Sequence, residues 1–313
     1  MLRLIFRRTV SAVPVMAIVA TLTFLLVQLV PGDPASFLLG TGATADQVVR
    51  LRATLGLDRP VLVQYSDWLG GLVHGDLGVS LVSNQTVADA LGRALPVTMS
   101  VALLATVFTL LAGVALGTVA AVRGGVVDRV VVGAASVGMA IPSFWLAAVL
   151  VFAFAIQIPL LPATGYVPFT TSPGQWLAHL VLPMIAVGLP GVGPVAFQTR
   201  EGVVDQLSRD YVRTLAAGGL SRRRILFRHV LRNAGGPVVA VLSFGFVFSL
   251  GAVMVIEAIF NLPGMGTLML SSVRRHDLPV VQGAVLTFSL VIVAVNLLAD
   301  LVSATLNPRI RFS

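Results

Sequence analysis

The sequence predicts an all-α polytopic membrane protein with six transmembrane helices. Hydrophobic residues make up 57% of the 313-residue chain and charged residues only 11%, a balance that is atypical of soluble domains. The mean hydropathy of +0.95 agrees with this. Six apolar segments also reach the length of about 20 residues that a spanning helix requires. They run at 10–30, 97–122, 130–156, 177–199, 237–258 and 280–303.

A strongly basic segment, residues 200–237, separates the fourth and fifth spans. The chain has 21 basic residues, all of them arginine, and eight lie in this segment. A charged side chain at the bilayer centre costs roughly 2.5–3.5 kcal/mol. We therefore expect this segment, which we call the basic hairpin, to lie outside the lipid.

The distribution of arginine predicts the orientation. The side of the membrane that holds the basic hairpin and both termini collects fifteen arginines, and the opposite side collects six. By the positive-inside rule the first side is cytoplasmic, so both termini are predicted to be cytoplasmic. The first span follows three arginines and lacks a small-residue cleavage site, which predicts an anchor that is retained.

These spans divide the chain into four predicted parts. They are residues 1–30, the N-terminal tail and first span; residues 31–95, an extracytoplasmic helical lid loop; residues 96–306, a core of five helices with the basic loop 200–236; and residues 307–313, a cytoplasmic tail. Within the lid loop, Thr44 and Gln47 fit a capping box for a helix that Gly56 would end. A second loop helix is predicted to start at Pro60.

Several kinds of chemistry lack the residues that they need. Without lysine there is no phosphate loop of the form GxxxxGK[ST], and without cysteine there are no thiolate ligands or nucleophiles. The HExxH and GxSxG patterns are absent as well. We expect no catalytic residue, no metal and no cofactor in this chain. Membrane topology accounts for the net charge of +8, so we expect no nucleic-acid partner.

Two short helices are predicted in the basic hairpin. Ser208 would cap the first, from Arg209 to Ala217, which the glycine pair 218–219 would end. The first helix is too short to be stable alone in water. We therefore expect a partner to hold it, rather than a loop that only sets topology.

The second predicted hairpin helix would be capped by Ser221. It would run from Arg222 to about Ala234, where the Gly-Gly-Pro sequence at 235–237 would end it. One face would carry arginines and the opposite face apolar side chains. The apolar residues are Leu226, Phe227, Val230 and Leu231.

The fourth span carries three prolines and three glycines between Pro183 and Pro194. This composition predicts broken backbone at membrane depth, which is tolerated where it is buried or lines a cavity. Pro190, Gly191 and Pro194 are therefore candidates for a translocation pathway, with a packing kink as the equal alternative. In the third span, Pro142 predicts only a kink.

Glu257 is the sole glutamate within an apolar run. An acidic side chain inside a membrane span is a candidate functional residue. It could meet the ammonium group of a substrate near the outer end of its helix, or it could pair with Arg274 or Arg275. Both interpretations remain open.

Several motifs together resemble a known family. The runs Tyr211–Ser221 and Arg228–Ala234 resemble the EAA loop of binding-protein-dependent ABC importers, and more narrowly the first permease subunit of the dipeptide/oligopeptide branch. Further matches, which extend over nearly the whole chain, are Pro31–Pro34, Gly75–Gly78, Ile141–Trp145, Glu257–Gly266 and Asn307–Arg311. Two differences stand out: Ala216 and Gly218 replace residues that are usually basic in this branch, and the Glu-Ala-Ala start is absent.

The resemblance implies a type I ABC importer permease fold in a multi-pass protein of the bacterial inner membrane. It implies a non-catalytic subunit that moves di- or oligopeptides into the cytoplasm by alternating access. The implied partners are a second permease, two ATPases that bind ATP and magnesium, and an extracytoplasmic substrate-binding protein. The implied ATPase-coupling residues are Arg209, Tyr211, Val212, Arg213, Leu215 and Gly219.

Two alternatives remain open at this point. The same architecture could import nickel or another small solute, because these branches share the loop motifs. From a different class, the chain could be a self-sufficient channel or a secondary carrier.

Overall fold

The fold is almost entirely helical. The structure is a computed structural model that describes residues 2–29, 32–40 and 42–306. Within these residues the only β feature is an isolated bridge between Val79 and Thr86. Five helices are long and apolar enough to span a membrane, and one bent pair supplies a sixth span. The predicted all-α class and the number of spans are confirmed, whereas the orientation stays a prediction.

The described helices follow one another along the chain, and the two longest connections between them are residues 74–86 and 158–172. In chain order they are α1 (Leu2–Gln28), α2 (Pro34–Leu39), α3 (Ala45–Thr54), α4 (Val61–Val73), α5 (Val87–Arg123), α6 (Gly125–Ala140), α7 (Ser143–Val151, extended by a π turn at Phe152–Gln157), α8 (Pro173–Ser208), α9 (Asp210–Ala217), α10 (Arg222–Ile225, followed by a π turn at Leu226–Val230), α11 (Leu231–Ile259), α12 (Met265–Arg274) and α13 (Leu278–Leu306). The motif residue Pro31 and the terminal motif 307–311 lie outside the described residues.

The chain forms two compact units. The first comprises Thr98–Leu262 and the chain from Ala294 onward, and the second comprises Leu2–Val97 and Pro263–Val293. Helices α5 and α13 each contribute to both. The predicted division into four parts is a different one, and it stays a prediction.

In the second unit, the two loop helices form as predicted. The Thr44 side chain accepts a hydrogen bond from the Gln47 amide and the Gln47 side chain accepts one from the Thr44 amide, which completes the capping box. At the end of α3, Gly56 has a φ of +68°. The Leu57 amide donates to the Arg52 carbonyl at 3.0 Å, the geometry of a Schellman motif. The next helix, α4, begins directly after Pro60.

An aromatic cluster and a hydrogen bond hold α4 on α1. The Tyr65 and Thr21 hydroxyls lie 2.8 Å apart. The ring of Phe24 contacts those of Tyr65 and Trp68, at centroid distances of 5.2 and 5.6 Å. Aromatic pairs in this distance range contribute about 0.5–1.5 kcal/mol beyond the area they bury. The loop helix therefore has a fixed partner within its own unit.

The buried carboxylate of Asp277 forms a second contact within this unit. The Ser80 hydroxyl donates to Asp277 at 2.5 Å, and the Leu81 amide donates to the other oxygen at 3.0 Å. Ser80 and Asp277 are both buried. Nearer the surface, the hydrogen bond that Arg52 donates to Asp58, and then the charge of Asp33, raise the pKa of the Arg52 guanidinium. These ion pairs of Arg52 with Asp58 and Asp33 lie near the surface and contribute little to stability.

In the first unit, α8 is the central helix and packs against α5, α6, α7 and α11. The third span is broken rather than kinked, because α6 and α7 meet at 95°. Ile141 and Pro142 are both extended at the break, with ψ of 120° and 134°. Pro142 therefore marks a larger change of direction than a kink.

The prediction that the fourth span is broken is wrong, because α8 is one continuous helix of 36 residues with all three prolines inside it. The φ that proline imposes is close to the helical value, so its cost lies in lost hydrogen bonds and in steric crowding. Neighbouring helices offset this cost in membranes. The Thr109 hydroxyl of α5 also donates to the Gly188 carbonyl of α8 at 2.7 Å, which links these two helices.

Glycines set how closely the helices approach α8. A Cβ on Gly188 would lie 2.8 Å from a backbone oxygen of α5, and one on Gly193 would lie 2.6 Å from the Met139 sulfur of α6. A Cβ on Gly117 of α5 would collide with the Ala196 carbonyl and lie 2.8 Å from the Thr199 Cβ. The positions of these helices therefore depend on the absence of side chains at the crossing points.

We predict that Gly117→Ala destabilises the first unit by about 1–3 kcal/mol, because the added methyl group meets backbone that cannot move aside. The matched control is Gly92→Ala in the same helix, where a Cβ meets nothing within 4 Å. That control should be neutral, or more stable by up to about 1 kcal/mol from helix propensity. Thermal unfolding in detergent measures both variants, and equal midpoints would contradict the close approach.

Candidate functional site

The basic hairpin begins where α8 ends. Helix α9 starts at Asp210, with Arg209 as its N-cap and no capping side chain. The predicted cap by Ser208 is wrong, because that hydroxyl donates back to the Asp205 carbonyl at 2.7 Å. The backbone turns from helical to extended one residue later, at Arg209, so Ser208 still belongs to α8.

The predicted end of α9 at the glycine pair is confirmed. Gly219 has a φ of +84°, a conformation that glycine adopts without strain. The Gly219 amide donates to the Ala216 carbonyl at 3.0 Å and the Leu220 amide donates to the Leu215 carbonyl at 3.2 Å. This is a Schellman motif, and it returns the chain toward α8.

The second hairpin helix starts as predicted but does not end as predicted. Ser221 caps it by accepting from the Arg224 amide. Instead of ending at 235–237, the chain passes through the π turn into α11 and remains helical to Ile259. Packing explains the difference, because a Cβ on Gly202 of α8 would lie 3.0 Å from the Ala234 Cβ. A buried contact of this kind holds the helix across the glycine pair.

The π turn also changes which side chains point inward. Ile225 and Val230, five residues apart, are both buried, whereas Phe227 is 66% exposed. Phe227 and Val230 were predicted to share one apolar face, but only Val230 is buried. A turn with i→i+5 bonds shifts the side chains that follow it around the helix.

The hairpin has a core of its own. Val203 of α8 and three residues that follow the Ser221 cap, Ile225, Val230 and Ala234, form a buried cluster that we call the hairpin core. Val212, Leu215 and Leu220 pack against it. Two of the residues predicted to anchor an ATPase therefore hold α9 to the rest of its own chain.

Tyr211 adds polar contacts to the same arrangement. Its hydroxyl donates to the Gln206 side chain at 3.0 Å, and the Asn233 amide group donates to that hydroxyl at 3.4 Å. The Tyr211 hydroxyl thus links the end of α8 to the start of α11. Contact of Tyr211, Val212 or Leu215 with an ATPase stays a prediction.

The opposite face of α9 is open. Arg209 forms an ion pair with Asp205 at 2.9 Å, and Arg213 lies 3.6 Å from Asp210. The Arg213 and Asp210 side chains are 81% and 97% exposed. Ala216 and Ala217, followed by Gly218 and Gly219, continue this exposed surface. It is free for a partner and is held in place by the hairpin core behind it.

A cavity of about 420 Å³ lies within the first unit. It is bounded by α5, α8, α11 and the break between α6 and α7, and we call it the central cavity. The predicted pathway residues Pro190, Gly191 and Pro194 all line it. The structure thus brings these three residues to one surface, while their role in a pathway stays a prediction.

The central cavity has no charged side chain in its lining. Three of its hydroxyl groups already donate to backbone carbonyls at 2.7 Å: Thr106 and Ser249 to their own helices, and Thr109 to Gly188. Sequence reasoning missed the walls from α5 and α11, including Phe244 and Gly245. These walls lie within the long apolar runs 97–122 and 237–258, where hydrophobicity alone does not distinguish the cavity face from the lipid face.

Glu257 does not line the central cavity. Its side chain is completely buried, and it accepts a hydrogen bond from the Thr98 hydroxyl of α5, which is equally buried. Arg274 and Arg275 are exposed. A role for Glu257 in admitting substrate stays a prediction, and the contact that the structure shows is an attachment of α11 to α5.

A second polar link was missed because Arg200 was counted with the basic hairpin. Its guanidinium binds both oxygens of Asp128 on α6, with Nη2 at 2.5 Å from Oδ2. Bidentate pairs of this type are stronger and more directional than single contacts. In the described part of the chain, no group of three or more His, Asp and Glu side chains is placed to hold a metal ion.

We predict that Leu215→Ala loosens α9 by about 1–3 kcal/mol, because a partly buried leucine leaves the hairpin core. The amides of α9 should then exchange hydrogen about 10–100 times faster. Arg213→Ala is the matched control in the same helix, since its exposed ion pair contributes at most about 1 kcal/mol. Equal protection in both variants would show that the hairpin core does not hold α9.

We predict that Thr98→Val lowers stability by about 1–3 kcal/mol, because a buried carboxylate loses one of its donors. Thr106→Val is the control: the same substitution in the same helix removes a hydroxyl that bonds only a carbonyl of its own helix. Unfolding of both variants by denaturing detergent gives the comparison. A Thr98→Val protein as stable as the Thr106→Val protein would contradict the proposed attachment of α11 to α5.

Comparison with known proteins places this architecture in a family. Residues 113–312 match the family described as binding-protein-dependent transport system inner membrane component, and residues 1–102 match the N-terminal family of the same membrane components. A Brucella abortus (strain 2308) protein that carries the name of a peptide transport system permease is 42% identical over 313 residues, all of both chains. The glutathione transport system permease protein GsiC of Escherichia coli (strain K12) is 36% identical over 313 residues, again all of both chains.

A third relative comes from Sinorhizobium fredii (strain NBRC 101917 / NGR234) and carries the name of a peptide ABC transporter permease. It is 37% identical over 309 residues, which cover 98% of this chain and 99% of the relative. The family matches and the membrane-spanning helices agree with a multi-pass inner-membrane protein and a type I ABC permease fold. The chain belongs to the family of inner-membrane permease components of binding-protein-dependent ABC transport systems, and it is a non-catalytic subunit.

Proposed function

We propose that this chain is one half of a permease that imports di- or oligopeptides. The observation that carries the proposal is full-length similarity to proteins named for peptide and glutathione transport, the latter substrate being itself a small peptide. The same similarity favours peptides over nickel or another small solute. Membership of a binding-protein-dependent family argues against a self-sufficient channel or carrier.

The energy for import comes from partner subunits in this proposal. The family implies ATPase and binding-protein components. We propose two ATPases and one homologous permease per complex. ATP and magnesium are bound by the ATPases, because this chain has no lysine from which to build a phosphate loop. The extracytoplasmic binding protein delivers the peptide, and closure of the ATPases drives alternating access.

Helix α9 is the proposed point of attachment to an ATPase. Val212 and Leu215 hold the helix on the hairpin core. Arg209, Arg213 and Gly219 lie on or beside the exposed face of α9. The Tyr211 hydroxyl links the start of α9 to Gln206 at the end of α8. A short helix supported in this way presents a rigid surface, which lowers the entropic cost of binding. Movement of a docked ATPase would then reach α8 and α11 directly.

We predict that Ala217→Trp blocks recovery of the ATPases with this chain. Ala217 lies on the exposed face of α9, so a large side chain there obstructs a partner without entering the hairpin core. A tenfold loss of recovery corresponds to about 1.4 kcal/mol, and we expect at least that. Ala88→Trp, at an exposed alanine near the start of α5, is the matched control.

The complete system provides the second arm of this test. The chain alone in liposomes should neither hydrolyse ATP nor take up peptide, and the complex with both permeases, the ATPases and the binding protein should do both. Substantial uptake by the chain alone would contradict the assembly. Full ATPase recovery with Ala217→Trp would place the docking surface elsewhere.

A further inference from the structure

The central cavity lies halfway along the helices that form it. Its lining comes from α5 near Thr109, from α8 between Val187 and Val195, and from α11 between Val241 and Ala252. These positions fall near the middle of the spanning segments Val87–Arg123, Pro173–Ser208 and Arg222–Ile259. Substrate sites in membrane transporters commonly lie near the bilayer midplane, beside discontinuous helices.

The break between α6 and α7 argues that the cavity does not face lipid. Ile141 and Ser143 flank the extended backbone at Pro142, and both line the cavity. Backbone without helical hydrogen bonds is tolerated at membrane depth only where it is buried in protein or borders a water-filled cavity. An acyl chain is therefore a poor occupant for this surface.

The lining favours one kind of chemical group. Phe244 and Phe248 lie with ring centroids 5.0 Å apart on the α11 side. The hydroxyl groups of Thr106, Thr109 and Ser249 already donate hydrogen bonds to backbone carbonyls. A charged side chain that entered would leave water without finding a counter-charge, which is costly. An apolar side chain gains from the same transfer.

We propose that the central cavity binds an apolar side chain of the peptide in transit, and that it makes this subunit favour peptides that carry one. This inference rests on the proposed function. The volume of about 420 Å³ lies within the range of about 300–1,000 Å³ typical of small-molecule sites. A large side chain such as that of phenylalanine fits with room for adjacent backbone. The main competing occupant is a side chain of the second permease.

Gly245 offers a direct way to fill the cavity. It lines the cavity, and a Cβ built on it meets nothing within 4 Å. Gly245→Ala and Gly245→Leu therefore reduce the free volume in two steps without a clash at the backbone. Gly251 on the same helix also has nothing within 4 Å of a built Cβ and does not line the cavity. Gly251→Leu is the matched control.

The experiment measures uptake by the complete complex in liposomes for three tripeptides: trialanine, alanyl-phenylalanyl-alanine and alanyl-arginyl-alanine. Each variant uses the same binding protein, so its preferences cancel when the uptake of a peptide relative to trialanine is compared between the variant and the wild type. Gly245→Leu should lower the relative uptake of the phenylalanine peptide about tenfold, with a smaller decrease for Gly245→Ala. The relative uptake of the arginine peptide should stay at the wild-type value, and Gly251→Leu should change neither ratio.

Four results would overturn the inference, each in a distinguishable way. Equal losses for the phenylalanine and arginine peptides would show a constriction that responds to size alone. Unchanged ratios would show that no side chain occupies the cavity. Loss of the second permease from purified Gly245→Leu complexes would assign the cavity to a subunit contact. Failure of the wild-type complex to take up any of the three peptides would overturn the proposed function itself.

Discussion

Backbone polar groups at membrane depth must find their partners within the protein, and α8 is where this constraint is most severe. Three prolines remove amide donors from a helix of 36 residues. The helix is nevertheless continuous, and neighbouring helices pack tightly on it: the Thr109 hydroxyl donates to the Gly188 carbonyl, and glycines let α5 and α6 approach closely. Two glycines of α8, Gly188 and Gly191, also line the central cavity, where they contribute no side chain. Glycines of α8 thus contribute both to the close packing of its neighbours and to the central cavity.

A continuous α8 also connects the cavity to the hairpin. Pro194 lines the cavity and Val203 belongs to the hairpin core, and nine residues of helix separate them by about 14 Å. Between them, the Arg200 guanidinium donates hydrogen bonds to both carboxylate oxygens of Asp128 on α6. A force applied at α9 therefore acts on one continuous helix, α8, which contacts both the central cavity and the broken third span. A break in α8, as the proline content suggests, would have interrupted this connection.

The sequence was informative where structure depends on near neighbours along the chain. The Thr44 capping box and the glycine end of α9 were predictable, since each is completed within a few residues. Continuity of α8 was not predictable, because it depends on contacts that other helices supply. The partner of Glu257 lies 159 positions away, on Thr98. For the candidate site, prolines and glycines located one wall of the cavity, whereas the walls from α5 and α11 have no distinguishing composition.

The carboxylates that join distant parts of this subunit do not line the central cavity. Three carboxylates join distant segments within their own unit: Asp128 binds Arg200, Glu257 binds Thr98, and Asp277 binds Ser80. Glu257 and Asp277 are both buried, and a buried acceptor that loses a hydrogen-bond donor is destabilised, so these two contacts resist rearrangement. The central cavity contains no such fixed point. Between these attachments, the backbone is extended at Ile141 and Pro142, and the Pro142 carbonyl accepts the first hydrogen bond of α7, from the Leu146 amide at 3.0 Å. If the proposed alternating access bends the chain within this unit, we expect it to do so at this 95° break, beside the surface that the peptide is proposed to cross.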